Sequence, residues 1–340
     1  MLRFLTAGDS HGKFINGILD GLPYGIKIDA EYVKKQLERR RTAPGRSARQ
    51  KLEKDEIEII SGLKGGVTTG APVSVLIKNA KIFEPAPYSF FTPGHAELAG
   101  MLKYSITDAS IIKERASARE TAVRVALFSF ARGFLESLDM EIESAILSAG
   151  TRQSPSGVEA AEIIEEYKKR GDSFGGVFEV RAKNVPAGLG GHAQGDLKLQ
   201  ARISKELFSI NAVKGVEIGL GFALAGLDSS RLAERPAFLG GIQGGISDGG
   251  LLYARCAVRP VPGIKKPLKT TDIKSMKKTE VSSLSSDVTA LFAAAVVAEN
   301  TLAFVLADAV LEKFGGDNFS EIKERIAAWR KKTEKILKKI

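Results

Sequence analysis

The segment from Val288 to Phe314 is almost uniformly apolar until Glu312, and no other stretch constrains the chain as strongly. A helix hydrophobic on most faces has to be enclosed by other elements. From about Ser117 to Leu138 the residues Ala122, Val125, Ala126, Phe128, Ala131, Phe134 and Leu135 recur at helical spacing, which predicts a second buried helix. No unbroken run of about 18 apolar residues occurs, so no membrane-spanning helix is expected. Met1–Gly8 is too short and too soon polar for a signal peptide.

Strands are expected at Leu2–Ala7, Ile15–Leu22, Glu56–Ser61, Pro72–Lys78, Glu141–Leu147, Gly176–Ala182, Val216–Phe222 and Leu251–Val258. Helices are expected from an Asp29 cap through Arg39, near Val158–Arg170 and at about Leu197–Phe208. Arg41–Lys51 and Phe83–Gly94 read as loops. Strand pairs joined by tight turns alternate irregularly with long helices, unlike the βαβα rhythm of a parallel sheet. The expectation is α+β, with antiparallel sheets and a helical layer between or against them. No low-complexity linker divides the chain, so one domain is expected over 1–316, with a basic amphipathic helix over 317–340.

The formal net charge is +10, which admits nucleic acid, an anionic membrane surface or an acidic substrate as partner. The C-terminal lysines interleave with Ile322, Ile326, Trp329, Ile336 and Ile340, as on the solvated face of a helix. Lys265–Lys278 reads as a solvated loop. Only Arg39, Arg40, Arg41, Arg46 and Arg49, at a helix end and in a loop with Pro44 and Gly45, are arranged like an anion site. No aromatic residue interleaves with them, which disfavours nucleic acid. The lone Cys256 excludes an internal disulfide and, within an apolar run, reads as core. These features point to a cytoplasmic protein.

Two of the three histidines lie in glycine-containing turns: His11 in Gly8-Asp9-Ser10-His11-Gly12, and His95 after Pro93-Gly94. A loop histidine is usually a bystander, but glycine on both sides lets the backbone approach a ligand. His192 carries no such signal. Arg115-Ala116-Ser117-Ala118-Arg119 opens the second buried helix, with Ser117 as a candidate cap, and helix N-termini attract anions. Gly240–Gly249 is dense in glycine but precedes a strand, so it is not a dinucleotide fingerprint. Asp287, taken alone, is an N-cap of the long apolar helix. No spacing indicates a metal.

Taken together these segments closely resemble chorismate synthase. The matching stretches run in order: Gly8–Gly12 with Gly17 and Asp20-Gly21, Arg39–Arg41 with Arg46, Ser61-Gly62 through Thr69-Gly70, Pro93-Gly94-His95, and Arg115–Thr121. They continue through Val185–Gly190, Ser209–Ile218, Gly240–Gly249, and Asp287 through Glu299 to Asp308. The resemblance implies a β-α-β sandwich, antiparallel sheets around a central helical layer, assembled as a homotetramer. It implies 1,4-elimination of phosphate from 5-enolpyruvylshikimate 3-phosphate, giving chorismate, with reduced FMN required and no net oxidation. By position it implies that His11 is the acid near the leaving phosphate and that His95 protonates reduced flavin. Asp287 would assist removal of the ring proton. Arg40, Arg46, Arg49 and Arg119 fall at phosphate-binding positions. Arg115, Ala116, Ser117, Asn211, Ala212, Gly244, Arg259, Pro260, Val261, Pro262, Gly263 and Ser285 fall at flavin-contacting ones. An external flavin reductase, with NADPH as indirect reductant, is expected, and neither nucleic acid nor membrane. The pattern departs at Thr92 and Ser285, where the family has arginines, and at Gly263 in place of threonine; Lys113 or Lys265 is the expected replacement charge. A flavin-binding relative without catalysis is the alternative, and a basic nucleic-acid-binding protein a weaker one.

Overall fold

The structure is a computed structural model that describes residues 1–47, 54–283 and 287–337. β1 (Arg3–Ala7) and β2 (Phe14–Asp20) form a hairpin around the Gly8–Gly12 turn. α1 (Ala30–Arg41) follows, with Asp29 accepting from the Tyr32 amide as its cap. β3 (Ile57–Ser61) and β6 (Val73–Lys78) pair antiparallel, enclosing the small hairpin of β4 (Leu63–Lys64) and β5 (Val67–Thr68). Three helices come next: α2 (Glu97–Tyr104), α3 (Ala109–Ala116) and α4 (Glu120–Glu136). β7 (Glu141–Ala149), β8 (Arg152–Gln153), α5 (Gly157–Arg170), β9 (Gly176–Lys183), α6 (Leu199–Phe208) and β10 (Val213–Ile218) complete the middle of the chain. Then come α7 (Ser229–Glu234), the hairpin β11 (Ile242–Gln243) and β12 (Ile246–Ser247), β13 (Leu252–Val258), and the hairpin β14 (Leu268–Thr271) and β15 (Lys278–Val281). α8 (Leu291–Phe314) and α9 (Phe319–Leu337) close the described chain.

Two larger sheets result, β1-β2-β6-β3 and β10-β13-β9-β7-β8, each antiparallel throughout. Period-2 alternation buries one face of each: Val73, Val75 and Ile77 on β6; Leu252, Ala254, Cys256 and Val258 on β13. α4 packs on β1, β2 and β6, α8 on β7 and β9, and the two helices on each other. Phe4, Phe128 and Phe304 join β1, α4 and α8, with ring centroids 4.5–5.2 Å apart. Gly17 permits the approach of α4. A Cβ there would lie 2.6 Å from Val123 Cγ1 and 2.8 Å from the Leu5 carbonyl oxygen. Burial pushes the Cys256 thiol up to about 12, as befits a core residue.

Helix α8 is long and apolar enough to cross a membrane by length and composition, with mean hydropathy 1.7, but 94% of that window is buried inside the fold. Several of its polar groups are bonded there: Asn300 and Thr301 donate to the Val296 and Val297 carbonyls, and Glu299 accepts from two arginines. Asn300 Oδ1 is buried with no hydrogen-bond partner among the described residues.

Four local expectations are corrected. The helix expected from Ser117 begins at Glu120, and Arg115-Ala116 end α3, whose eight residues are too few to show a hydrophobic period. Lys265–Lys278 is not all loop, because β14 and β15 pair and Thr270 is buried, donating to the Phe91 carbonyl. The strand expected at Val216–Phe222 runs from Val213 to Ile218, since Gly219 turns at φ +63° into a 3₁₀ segment. Asp287 is not a helix cap; α8 begins at Leu291, whose amide donates to Thr289 Oγ1. Arg49 and Ser285 lie outside the described residues.

Candidate active site

The hairpin turn after β1 is fixed by its own backbone. Gly8 sits at φ +100°, where a Cβ would lie 2.5 Å from the Phe14 carbonyl oxygen. The Gly12 amide donates to Asp9 O, and Asn79 Nδ2 donates to Asp9 O and Gly12 O at 3.1 and 2.7 Å. This turn presents His11, whose ring lies 4.2 Å from that of Phe83. One carboxylate, Glu114, meets two of its nitrogens: it accepts from the His11 amide at 2.8 Å and lies 2.7 Å from ring Nδ1. Around the pair is a cavity of about 280 Å³ whose wall includes Ser10, Phe83, Tyr88, Lys113 and Ser117.

His95 follows the Pro93-Gly94 turn, its amide bonded to the Thr92 carbonyl. Its Nδ1 pairs with Glu97 at 2.6 Å. Burial works against the charge on Glu97, but His95's hydrogen bond and charge hold that carboxyl below its ordinary value. Glu97 Oε1 is buried with no hydrogen-bond partner among the described residues.

His95 and Glu97 face a larger cavity of about 480 Å³. Arg46, Ala116, Ser117, Arg119, Asn211, Ala212, Arg259, Val261, Pro262, Gly263 and Asp287 also line it. Arg46 donates to one oxygen of Asp287 at 2.7 Å and the Ser47 amide to the other at 2.8 Å. Arg119 pairs with buried Asp55 and donates to Asn79 Oδ1 at 2.8 Å. Asn79 therefore links the His11 turn to the arginine cluster.

Arg40 lies beneath the wall, 1% exposed, bonded to Thr121 Oγ1 and the Ala118 carbonyl and 3.6 Å from Asp55. Burial and the neighbouring Arg46 lower it to about 9, which leaves it charged at neutral pH. His11 lines the smaller cavity only. Arg115 reaches away from both, to the Thr6 carbonyl and hydroxyl. Gly244 turns the β11–β12 hairpin and lines neither cavity, nor does Pro260. Lys113 lines both, whereas Lys265 lines neither. Thr92 is buried in the wall of the larger one.

Glu114, Glu97, Asp55 and Asn79 escaped the sequence reading. Only Glu97, two residues after His95, had a local signal. The other three meet their partners across 40 to 103 residues. A cavity of this volume is of the size that takes a small cofactor or substrate. Its peptide-rich segment Val261–Gly263 and its cations Arg46, Lys113, Arg119 and Arg259 suit a flat, anionic ligand.

A family model of chorismate synthase matches residues 2–311. A chorismate synthase from Caldanaerobacter subterraneus subsp. tengcongensis is 43% identical over 339 residues, covering 95% of this chain and 96% of its own. One from Aquifex aeolicus is 39% identical over 382 residues, with 95% and 96% covered. A solved chorismate synthase crystal structure matches with TM-score 0.77 at 34% identity, covering 96% of this chain and 97% of its own.

Proposed function

The chain belongs to the chorismate synthase family, and on that premise we propose a division of labour among the residues around its two cavities. The reaction is a carbon–oxygen lyase step of the shikimate pathway: 5-enolpyruvylshikimate 3-phosphate loses phosphate and a ring hydrogen to give chorismate. Reduced FMN is required, and when bound it supplies an electron-rich ring that assists both departures without net oxidation. Ser117, Asn211, Ala212, Arg259 and Val261–Gly263 would hold it. Arg115, Pro260 and Gly244, expected by position alone, have no cavity contact behind them; Ser285 is assigned by position only.

Arg46 and Arg119 on the wall, Arg40 beneath it, and Arg49 by position offer guanidinium forks to phosphate. His11 gives its proton to the departing phosphate oxygen as the carbon–oxygen bond breaks. Asp287 receives the ring proton, its two oxygens oriented by Arg46 and the Ser47 amide. His95, paired with Glu97, holds a proton toward the reduced flavin. The observation that carries this reading is the convergence of Arg46, Arg119, His95 and Asp287 on one cavity.

The β-α-β sandwich is supported by each sheet's packing on one of two paired core helices, and residues 1–316 are read as one domain with 317–340 as an appended helix. The homotetramer is supported by a groove of about 1080 Å³ at the edge strand β1, where Leu2, Phe4, Leu5, Ile18 and Leu197 are interspersed with charged residues such as Arg3, Asp20, Arg202 and Glu312. A cytoplasmic location and an external, NADPH-fed reductase complete the proposal.

An anaerobic assay with reduced FMN and substrate tests it, following phosphate and chorismate. His11→Ala should fold, bind flavin and lose turnover by about 10²–10⁴-fold; turnover equal to the parent's would sink the role given to His11. Normal flavin binding without turnover in the parent would favour the non-catalytic relative.

A further inference from the structure

We propose that Glu114, on α3, is a positioning residue that fixes the tautomer and rotamer of His11 and supplies the counter-charge for its proton-donating form. The proposal rests on the proton-donor role given to His11. A simpler reading would make Glu114 a staple between α3 and the hairpin turn, but the turn is already closed without it. Asp9 O, Gly12 O and the Gly12 amide are engaged within the turn or by Asn79, and the His11 carbonyl accepts from the Phe83 amide at 3.2 Å. One Glu114 oxygen suffices to tie the backbone amide of His11. The other is carried onto the ring at 2.7 Å, with both side chains nearly buried, 13% and 12% exposed.

In that setting the carboxylate can only accept, so ring Nδ1 must carry a proton. The transferable proton is then the one on Nε2. When it passes to the phosphate oxygen, the ring becomes neutral with Nδ1–H still donating to Glu114, and no reorientation is needed before reprotonation. The other charged residue in this cavity's wall is Lys113, a cation. The arrangement parallels carboxylate partners that orient catalytic or metal-bound histidines elsewhere.

The test compares Glu114→Gln and Glu114→Asp in the full chain. Glutamine has one acceptor for two donors. If its amide nitrogen faces the ring, Nδ1 must accept and the proton moves to Nε2. We expect Glu114→Gln to lower kcat by about 10²-fold or more, with KM for the substrate and flavin affinity changed less than about threefold. Glu114→Asp should recover part of the loss. Ring ¹⁵N spectra of histidine-labelled protein provide a readout that needs no turnover. With three histidines in the chain, His11→Ala assigns the His11 signals. The neutral ring should show Nδ1–H in the parent and lose that pattern in Glu114→Gln.

An unchanged ring pattern, a parent-like kcat, or a raised KM with kcat intact would overturn the proposal. Parent-like turnover in His11→Ala would instead strike the functional reading on which it rests, while the ring spectra would still decide the pairing.

Discussion

Replacing Glu299 by glutamine takes the charge out of a buried network while nearly preserving its shape. Glu299 lies in the middle of α8 and accepts from Arg39 Nη1 and Nη2 at 2.6 and 2.9 Å, from Arg132 Nη1 at 2.6 Å and from Ser144 Oγ at 2.6 Å. Burial works against its charge, yet the Arg39 hydrogen bonds and the Arg132 charge hold its carboxyl below the ordinary range. Without that charge, Arg39, 37% exposed, can turn to solvent, but Arg132, 9% exposed, cannot. Removing one member of a buried pair costs about 3–5 kcal/mol. Arg132 keeps Glu136 and the Ile142 carbonyl, so the lower end, about 3 kcal/mol, is expected. Urea unfolding at pH 7 should show a lower midpoint with unchanged slope. A carboxyl held low in the folded state stabilises above its unfolded value, about 4.3, and loses that contribution as pH falls through the folded one. The gap between variant and parent should therefore be full at pH 7 and close in acid. Arg132→Met with Glu299→Leu should cost less than Glu299→Gln alone. A loss below about 1 kcal/mol at pH 7, or a gap that does not narrow in acid, would refute the reasoning.

Gly17→Ala should destabilise by about 1–3 kcal/mol, because the Leu5 carbonyl oxygen, 2.8 Å from the new Cβ, belongs to the paired strand and cannot yield as a side chain can; an unchanged urea midpoint would contradict this. Lys113 lines both cavities and has no ion pair among the described residues, so its charge remains for a ligand. Lys113→Met should raise the substrate KM about tenfold with a smaller change in kcat, and Lys113→Arg should restore it; unchanged steady-state kinetics would remove Lys113 from substrate binding.

The elements most legible in the sequence were those that bury a periodic face. Ala122, Val125, Ala126 and Phe128 announce α4 because each is enclosed, and alternation along β6 and β13 announces their sheets. Helices α2 and α3 were not legible, since Leu102, Tyr104 and Ile111 point outward and leave no apolar stripe. In β15 no residue is fully buried, so Lys278 reads as loop. Asp287 reads as a cap because a carboxylate before an apolar helix usually is one. Its actual partners, Arg46 and the Ser47 amide, are 241 and 240 residues away. Individual site residues could thus be named from turn chemistry and resemblance, but the carboxylate paired with each is set by tertiary contact.

Those pairings decide how a strongly basic site can exist without ligand. Arg40 and Arg119 share Asp55, Arg46 holds Asp287, and His95 holds Glu97. Unpaired, so many buried cations would repel one another and carry a large desolvation cost. Paired in full, they would leave no field for a phosphate. Among the described residues, the arginines and lysine Arg40, Arg46, Lys113, Arg119 and Arg259 stand against Asp55, Glu97 and Asp287 at the larger cavity, an excess of two positive charges before any proton on His95 is counted. That excess attracts a dianionic phosphate into a site of low dielectric, where its attraction is strongest. The proton from His11 keeps the departing phosphate a dianion instead of a trianion, so the same excess matches the group before and after the bond breaks. On this argument Thr92 need not be an arginine. Lys113, displaced onto α3 between the two histidines, keeps the excess from falling to one.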